Sequence, residues 1–321
     1  MRGNMDQTTR RTFLGLGLAA TTGLAAWQWT HPTVPPAPVY PEQPGRYPLA
    51  QAAAALEKLS PLHQHKKPSE PGDWLAREGL VEPGQTFAEY TRSRPRVCEK
   101  YSLLYVLPLG KFSESEQPLI ESVSEALGCC FGMPVTTLES FPLAKIPDWA
   151  ERENNGQRQL WTHYVLDKVL PPRLPVDAAA LLALTNIDLW PGEGWNYVFG
   201  MATLENRVGV WSTARLGNPE GNEQERRQFF RRLLKVALHE TGHMYGITHC
   251  IAYECGMNGM NNLDEGDRQM IDFCPECQAK LWWTCDYPPQ KRFERMQEYF
   301  ARHGFTAEAN YYKLALKALK P

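Results

Sequence analysis

The sequence predicts an α/β (α+β) fold, in which a mixed β-sheet packs against helices and a cysteine-rich subdomain lies toward the C-terminus. Short apolar runs of strand length alternate with segments whose apolar residues recur at helical spacing. One long helical pattern ends in paired histidines, and four cysteines follow soon after. The chain has 321 residues, of which 43% are apolar, enough for one large domain or two modest ones.

The first 30 residues are predicted to form a targeting segment. Arg10 and Arg11 precede an apolar run of mostly small residues that continues to about Trp29. A pair of arginines before such a run resembles a twin-arginine export signal. We therefore expect the twin-arginine export machinery as a partner and a periplasmic or extracellular location, with membrane association if the segment is retained. The alternative is a short N-terminal helix or a membrane anchor.

A linker and a helical approach segment are predicted to follow. Residues 31–48 contain seven prolines, which favour an extended, stiff spacer. Residues 49–95 begin with a predicted helix at Leu49–Leu59 and continue as two short amphipathic pieces, which separate at Pro83-Gly84. We expect the aromatic residues of this approach segment to pack on the following domain.

Several other histidines and cysteines are given structural interpretations. His63 and His65 lie in a polar stretch, which favours a solvated loop over a metal site. Cys129 and Cys130 are adjacent in an apolar context and are interpreted as core residues, with a vicinal redox pair as the alternative. Cys98 is interpreted as a lone structural thiol.

Residues 96–285 are predicted to form the main domain, and residues 286–321 a pair of C-terminal helices that serve as a scaffold. Two of the strands are joined by a tight turn at Glu205-Asn206. The predicted strands are Tyr101–Leu109, Pro134–Phe141, Ala180–Leu189, Tyr197–Leu204 and Arg207–Arg215. The predicted helices are Glu114–Leu127, Gly156–Val169, a long helix capped by Asn222 and Glu225, Gln290–Arg302 and Thr306–Leu319.

The long helix ends in a metal-binding pattern. His239 and His243 are four residues apart, so they share one face of the helix, with Glu240 beside them as the usual general base. Gly246 allows the chain to turn back and present His249 as a third ligand. The full pattern, HExxHxxGxxH, predicts one zinc ion with an open fourth position. The alternative is three solvated histidines on a polar helix end.

Four cysteines follow at once and predict a second zinc ion. They are Cys250, Cys255, Cys274 and Cys277, and the last two form a CPEC pair. Two cysteine pairs separated by about twenty residues match a closed tetrahedral site, which has no open position for chemistry. Two disulfide bonds or inert buried thiols are the alternatives.

These residues together carry a family resemblance. HExxHxxGxxHCx4CxM followed by CxxC resembles the archaemetzincin family, in the metzincin clan of zinc metallopeptidases, over roughly residues 70–285. The resemblance implies a metzincin-like fold with a catalytic domain at residues 96–285, a catalytic zinc at the histidines and a structural zinc at the cysteines. Met257 resembles the methionine that lies beneath the histidines of metzincins, with a plain core role as the alternative. Tyr197–Leu204 would be the sheet edge above the active-site cleft.

The predicted function is the hydrolysis of peptide bonds. Zinc would lower the pKa of a bound water to about 7, and Glu240 would pass the proton of that water to the leaving nitrogen. We expect peptide or protein substrates and a specificity that is aminopeptidase-like or narrow. The alternatives are a non-enzymatic peptide- or metal-binding zinc protein on the same scaffold and a small-substrate zinc hydrolase. A net charge of −2 without a basic run argues against nucleic acid as a partner.

Overall fold

The structure is a computed structural model that describes residues 47–63, 70–76, 82–93 and 101–320. The predicted targeting segment, nearly all of the proline-rich linker, His65 and Cys98 lie outside the described residues. Within the described ranges, none of the helices is both long and apolar enough to cross a membrane.

The described elements are numbered in chain order. The helices are α1 (Leu49–Leu59), α2 (Phe87–Arg92), α3 (Gln117–Phe131), α4 (Thr162–Tyr164), α5 (Glu223–Met244), α6 (Leu263–Arg268), α7 (Pro275–Thr284), α8 (Pro289–Arg302) and α9 (Thr306–Leu319). The strands are β1 (Leu103–Leu109), β2 (Val135–Thr137), β3 (Glu151–Asn154), β4 (Gln157–Trp161), β5 (Ala178–Thr185), β6 (Asp188–Trp190), β7 (Gly200–Ala202) and β8 (Val208–Ser212).

The main sheet has five strands in the order β2-β1-β5-β8-β7. Strands β1, β2, β5 and β8 pair in parallel, whereas β7 is antiparallel to β8. Strand β7 therefore lies at one edge of the sheet, as predicted for the first strand of this hairpin. A mixed sheet with helices and a cysteine cluster toward the C-terminus confirms the predicted fold class.

The centre of the sheet is apolar on both faces. All eight residues of β5 are buried. Leu182 and Leu184 face a core shared with α3 and α5, while Leu181 and Ala183 face the smaller second sheet. A parallel strand that is covered on both sides reads as a continuous apolar run rather than an alternating one, which explains why β5 could be predicted.

The predicted helix Gly156–Val169 is wrong over its first part. Strands β3 and β4 form an antiparallel hairpin there, which turns at Asn155 and Gly156. Their φ angles are 53° and 76°, the two positive values that a two-residue type I′ turn requires, and Asn-Gly is the preferred dipeptide for this turn. Only α4 and a π-helical turn at Val165–Val169 are helical.

The predicted strand Ala180–Leu189 is two strands rather than one. The chain leaves the main sheet after Thr185, and β6 joins a second sheet in the order β3-β4-β6. Asp188 begins β6 and is buried, and it accepts hydrogen bonds from Gln159 (2.6 Å) and Arg215 (2.7 and 2.9 Å). A buried carboxylate needs such partners. Gln159 lies in β4 of the second sheet, and Arg215 follows β8 of the main sheet. Strands β2, β7 and β8 are present but shorter than predicted.

His63 is buried rather than solvated, which corrects the interpretation of the polar stretch. Its ring packs edge-on against Tyr311 of α9, with centroids 4.8 Å apart, and burial lowers the pKa of His63 to about 4. The described aromatic residues Trp74, Phe87 and Tyr90 of the approach segment are also buried, as predicted.

The C-terminal helices are joined to the cysteine cluster by a buried ion pair. Arg292 of α8 donates to both carboxylate oxygens of Asp272, at 2.7 and 2.9 Å, and to the carbonyl of Cys130, at 2.9 Å. Arg292 and Asp272 are both buried, so the pair tolerates little change in how α8 lies against α3. Cys130 and Cys129 are buried, as predicted. The pair thus holds the polypeptide just before Cys274 in place.

Candidate metal centre

Helix α5 is fixed at its start and along one face. The side chain of Asn222 accepts from the backbone N–H of Glu225 (3.1 Å), and the carboxylate of Glu225 accepts from the backbone N–H of Asn222 (2.8 Å). This capping box satisfies two backbone donors at the helix N-terminus. Phe229 and Leu233 are buried in the core, and this packing sets the rotation of the helix about its axis. The direction of His239, near the other end, follows from it.

The helix ends in a tight reversal. Gly246 has a φ of +79°, in the left-handed region, and its N–H donates to the carbonyl of His243 at 2.8 Å. A residue with a Cβ would be strained in this conformation, so glycine suits the position. The reversal brings His249 back to the face that carries His239 and His243, as the spacing predicts.

The three histidines converge on one point. Their candidate ligand atoms all lie within 4.8 Å of one another, and the Nε2 atoms of His239 and His243 are 3.0 Å apart. Metal–nitrogen bonds of about 2.1 Å at a tetrahedral angle place two ligand nitrogens about 3.4 Å apart, so the observed spacing needs to open by only a few tenths of an ångström to hold a zinc ion. The predicted ligands His239, His243 and His249 are thus brought together.

The opposite ring nitrogen of each histidine already has a partner. Nδ1 of His239 lies 2.8 Å from the carbonyl oxygen of Gly256, and Nδ1 of His243 lies 2.7 Å from that of Ile247. A carbonyl oxygen only accepts hydrogen bonds, so both Nδ1 atoms carry the proton and donate. The lone pair of each imidazole is then on Nε2, the atom that faces the common point. This tautomer is the one that metal binding requires.

Burial keeps His239 and His243 neutral. It lowers the pKa of His243 to about 3, with a further contribution from the nearby His249. The pKa of His239 is also well below its ordinary value, because the ring is desolvated and because His243 and His249 are close. A neutral imidazole is the form that binds a metal ion.

The side chain of Glu240 lies where α5 approaches β7. Its side chain is buried, and its Oε2 atom has no hydrogen-bond partner among the described residues. Desolvation raises the pKa of Glu240 to about 8. A Cβ added to Gly200 of β7 would lie only 2.6 Å from Oε1 of Glu240, so the two elements are in close contact. A buried carboxylate without a partner is costly, and such groups are characteristic of functional sites.

The four predicted cysteines form a second cluster. The Sγ atoms of Cys250, Cys255, Cys274 and Cys277 all lie within 4.8 Å of one another, and those of Cys250 and Cys274 are 3.8 Å apart. A disulfide bond requires about 2.05 Å, whereas a tetrahedral site with zinc–sulfur bonds of about 2.3 Å gives a sulfur–sulfur distance of about 3.8 Å. The thiols are free, and their arrangement fits zinc better than the disulfide alternative.

Donors around the cysteine cluster favour thiolates. The backbone N–H groups of Cys274 and Met257 point at Sγ of Cys255, at 3.1 and 3.4 Å. The ammonium group of Lys280 lies 3.9 Å from Sγ of Cys277. Burial raises the pKa of Cys255 and Cys274 well above the ordinary value, so a cation is needed to hold both as thiolates.

Met257 connects the two clusters. It is fully buried, and a Cβ added to Gly242 of α5 would meet its sulfur at 2.5 Å. Met257 therefore packs directly against the helix turn that carries His239 and His243. This location is the one that the resemblance to the metzincin methionine implies.

Sequence reasoning missed one neighbour of the histidines. The carboxylate of Glu82 lies 2.9 and 3.0 Å from Nδ1 of His249. The ring of Trp74 packs edge-on against the same imidazole, with centroids 4.8 Å apart. No motif or spacing links residue 82 to residue 249, because 167 positions separate them and only the folded chain brings them together.

The chain is similar to several known proteins. The family model "Peptidase family M54" matches residues 176–282, which include every predicted ligand. Archaemetzincin-2 of Pongo abelii is 27% identical, with 75% of this chain and 74% of the relative covered. Archaemetzincin-1 of Homo sapiens is 30% identical, with 70% of this chain and 51% of the relative covered. The crystal structure of archaemetzincin from Archaeoglobus fulgidus is 28% identical and covers 56% of this chain and 99% of its own, with a TM-score of 0.45.

The family model and the archaemetzincin relatives show that the chain is similar to archaemetzincins. They confirm the predicted enzyme class, a zinc metallopeptidase that acts on peptide or protein substrates. The non-enzymatic alternative is not favoured. Zinc is the metal that the family implies, and both donor sets fit it.

Replacing Gly200 with alanine tests the contact between β7 and Glu240. The added Cβ would displace the Glu240 carboxylate, and a displacement of about 1 Å can cost on the order of 10²-fold in rate. We expect Gly200→Ala to lose peptidase activity on that scale while its zinc content stays unchanged. Unchanged kcat in Gly200→Ala would contradict the contact.

Replacing Cys274 with serine tests the cysteine cluster. Structural zinc contributes about 10–16 kcal/mol to the folding of small zinc-finger peptides, and the larger core here should retain part of the stability. We expect Cys274→Ser to lose zinc from the cluster and to melt at a clearly lower temperature. Cys285→Ser, which alters a thiol outside the cluster, is the matched control. Equal melting temperatures for the two variants would argue against a structural metal.

Proposed function

We propose that this protein hydrolyses peptide bonds with one zinc ion held by His239, His243 and His249 and with Glu240 as the general base. The observation that carries the proposal is the meeting of three Nε2 atoms beside a buried carboxylate that lacks a partner. Binding alone does not need that carboxylate. Its desolvation costs stability, as is common for catalytic groups.

Bound zinc and Glu240 would have separate roles in the reaction. Bound zinc would supply a lowered pKa for water and polarisation of the peptide carbonyl. Glu240 would accept the proton of the attacking water, because its Oε2 atom is free to do so. The desolvation that raises the pKa of Glu240 increases its affinity for the proton that it would accept. Glu240 would then deliver the proton to the leaving nitrogen.

Strand β7 offers a place for the substrate. It is the edge strand of the main sheet, and among the described strands it pairs only with β8. An extended peptide could add to this edge through backbone hydrogen bonds, which read few side chains. Because Gly200 lies in β7 and contacts Glu240, a peptide bound there would pass beside the base.

The short edge strand favours a limited binding site. Strand β7 spans only Gly200–Ala202, so an added peptide would engage few backbone groups. This supports an enzyme that is aminopeptidase-like or narrow in specificity, and not one that grips a long polypeptide.

A second zinc ion at Cys250, Cys255, Cys274 and Cys277 would have a structural role. Four protein ligands leave no open position, and the cluster is buried. The cluster would hold the turn that carries His249, because Cys250 is the next residue in the chain.

Export from the cytoplasm is part of the proposal. Its support is the sequence alone: Arg10 and Arg11 precede the apolar run. A route that exports folded proteins would let zinc bind in the reducing cytoplasm, before the thiols meet an oxidising environment. Retention of the targeting segment would leave the enzyme associated with the membrane.

Conservative changes at the two arginines test export. In a bacterium with the twin-arginine machinery, we expect the wild-type chain outside the cytoplasm and the double variant Arg10→Lys, Arg11→Lys inside it. Cell fractionation with antibody detection measures the distribution. The same distribution for both chains would refute the twin-arginine route.

The test of the proposed chemistry is hydrolysis of a diverse peptide library by the zinc-loaded chain and by Glu240→Ala. A general base contributes about 10²–10⁴-fold, so we expect the variant to lose at least that much activity while it keeps its zinc. Mass spectrometry of the products gives the cut positions, which separate an aminopeptidase from an endopeptidase. Equal hydrolysis by both chains would exclude Glu240 as the base. No hydrolysis by zinc-loaded wild type across the library would contradict the proposed reaction.

A further inference from the structure

Glu82 faces the histidine that differs from the other two. Nδ1 of His239 and of His243 donates to a backbone carbonyl, whereas Nδ1 of His249 lies 2.9 and 3.0 Å from the two carboxylate oxygens of Glu82. A carboxylate, like a carbonyl, accepts the Nδ1–H and leaves Nε2 with its lone pair. Unlike a carbonyl, it also places a full negative charge beside the imidazole.

The segment around Glu82 is built against the turn that carries His249. The side chain of Gln85 donates to the carbonyl of Gly246 at 3.3 Å and accepts from the backbone N–H of Thr248 at 3.5 Å. Trp74 packs its ring against the His249 imidazole. The approach segment therefore contacts the turn before His249 and the ring itself.

The same segment is anchored on the helix of the cysteine cluster. Lys280 of α7 donates to the carbonyl of Gln85 at 2.5 Å, and the carboxylate of Glu276 accepts from the backbone N–H of Phe87. Thr86 and Glu89 form a capping box that starts α2. These contacts hold the backbone beside Glu82, so the carboxylate is presented by a fixed support.

We propose that Glu82 is a positioning residue that orients His249 for zinc and increases its strength as a ligand. A carboxylate that accepts from the far nitrogen of a ligating histidine fixes its tautomer and ring angle and raises its basicity. The proposal rests on the proposed function, in which His249 binds zinc. It extends the metal centre into the approach segment, beyond the residues 176–282 that the family model matches.

An ordinary surface ion pair is the competing explanation. Glu82 is about one-third exposed and His249 about one-quarter exposed, so charge attraction alone would be weak. An ion pair would also require a protonated His249. A protonated imidazole cannot bind zinc, because a histidine ligand must be neutral. The two explanations therefore differ in what they predict for zinc affinity.

The experiment measures the zinc dissociation constant of the full chain by competition with a chelating dye. Changes at outer partners of metal-bound histidines typically cost about 10–100-fold in affinity. We expect Glu82→Ala to weaken zinc binding at the histidines by that factor. Glu82→Gln, which keeps an acceptor oxygen but no charge, should fall between Glu82→Ala and the wild type.

A matched control comes from the same segment. Glu89→Ala removes the side chain that caps α2 and leaves the contact with His249 intact, so it reports any general loosening of the segment. Cobalt substitution separates the two metal sites, because thiolate-bound cobalt has an intense charge-transfer band that histidine-bound cobalt lacks. We expect the thiolate band of Glu82→Ala to match that of the wild type. The absorption of cobalt at the histidines should reach its maximum at a higher cobalt concentration in the variant than in the wild type.

The possible failures can be told apart. Unchanged zinc affinity in Glu82→Ala, or an equal loss in Glu89→Ala, would overturn the role of Glu82 while the proposed function stands. If the wild-type chain binds no metal at the histidines, the proposed function itself fails. Because affinity is measured without a substrate, lack of peptidase activity does not affect the result.

Discussion

The hydrogen bond from Nδ1 of His239 to the carbonyl of Gly256 links the two candidate metal sites. Gly256 stands between Cys255, a proposed ligand of the second zinc, and Met257, which packs against the helix between the first two histidines. His249 and Cys250 are likewise consecutive. The two sites are therefore joined twice by adjacent residues. A shift of the cysteine cluster would move a histidine, the partner of another histidine and the methionine beneath them.

The helix that carries the histidines must also place a carboxylate where the substrate can meet it. Strand β5 is buried on both faces, so it provides a rigid centre against which α5 packs. Glycine at position 200 lets the edge strand approach Glu240 closely. The burial that raises the pKa of Glu240 is thus a consequence of the same packing that brings the base to the edge of the sheet. Burial of this carboxylate costs stability, and it holds the proposed general base beside the edge strand.

The ligands were predictable because covalent and helical geometry confines them. His239 and His243 share a helix face, and the reversal at Gly246 leaves His249 few places to go. The hairpin at Asn155 and Gly156 was missed because Val165, Leu166 and Val169 have helical spacing, which extends naturally back to the turn. The end of β5 after Thr185 was not predictable from the local sequence. Asp188 finds its hydrogen-bond partner Gln159 in the second sheet, which only the folded chain brings close. The contact between Glu82 and His249 depends on the whole fold, because 167 residues separate the two.

The central claim is that two metal ions sit side by side, one among three imidazoles and one among four thiolates. Anomalous X-ray diffraction on crystals of the zinc-loaded protein, recorded on both sides of the zinc absorption edge, tests it most directly. The account predicts one peak between the Nε2 atoms of His239, His243 and His249, and another between the four sulfur atoms that start with Cys250. A peak at neither cluster, or disulfide density in place of the second peak, would contradict it.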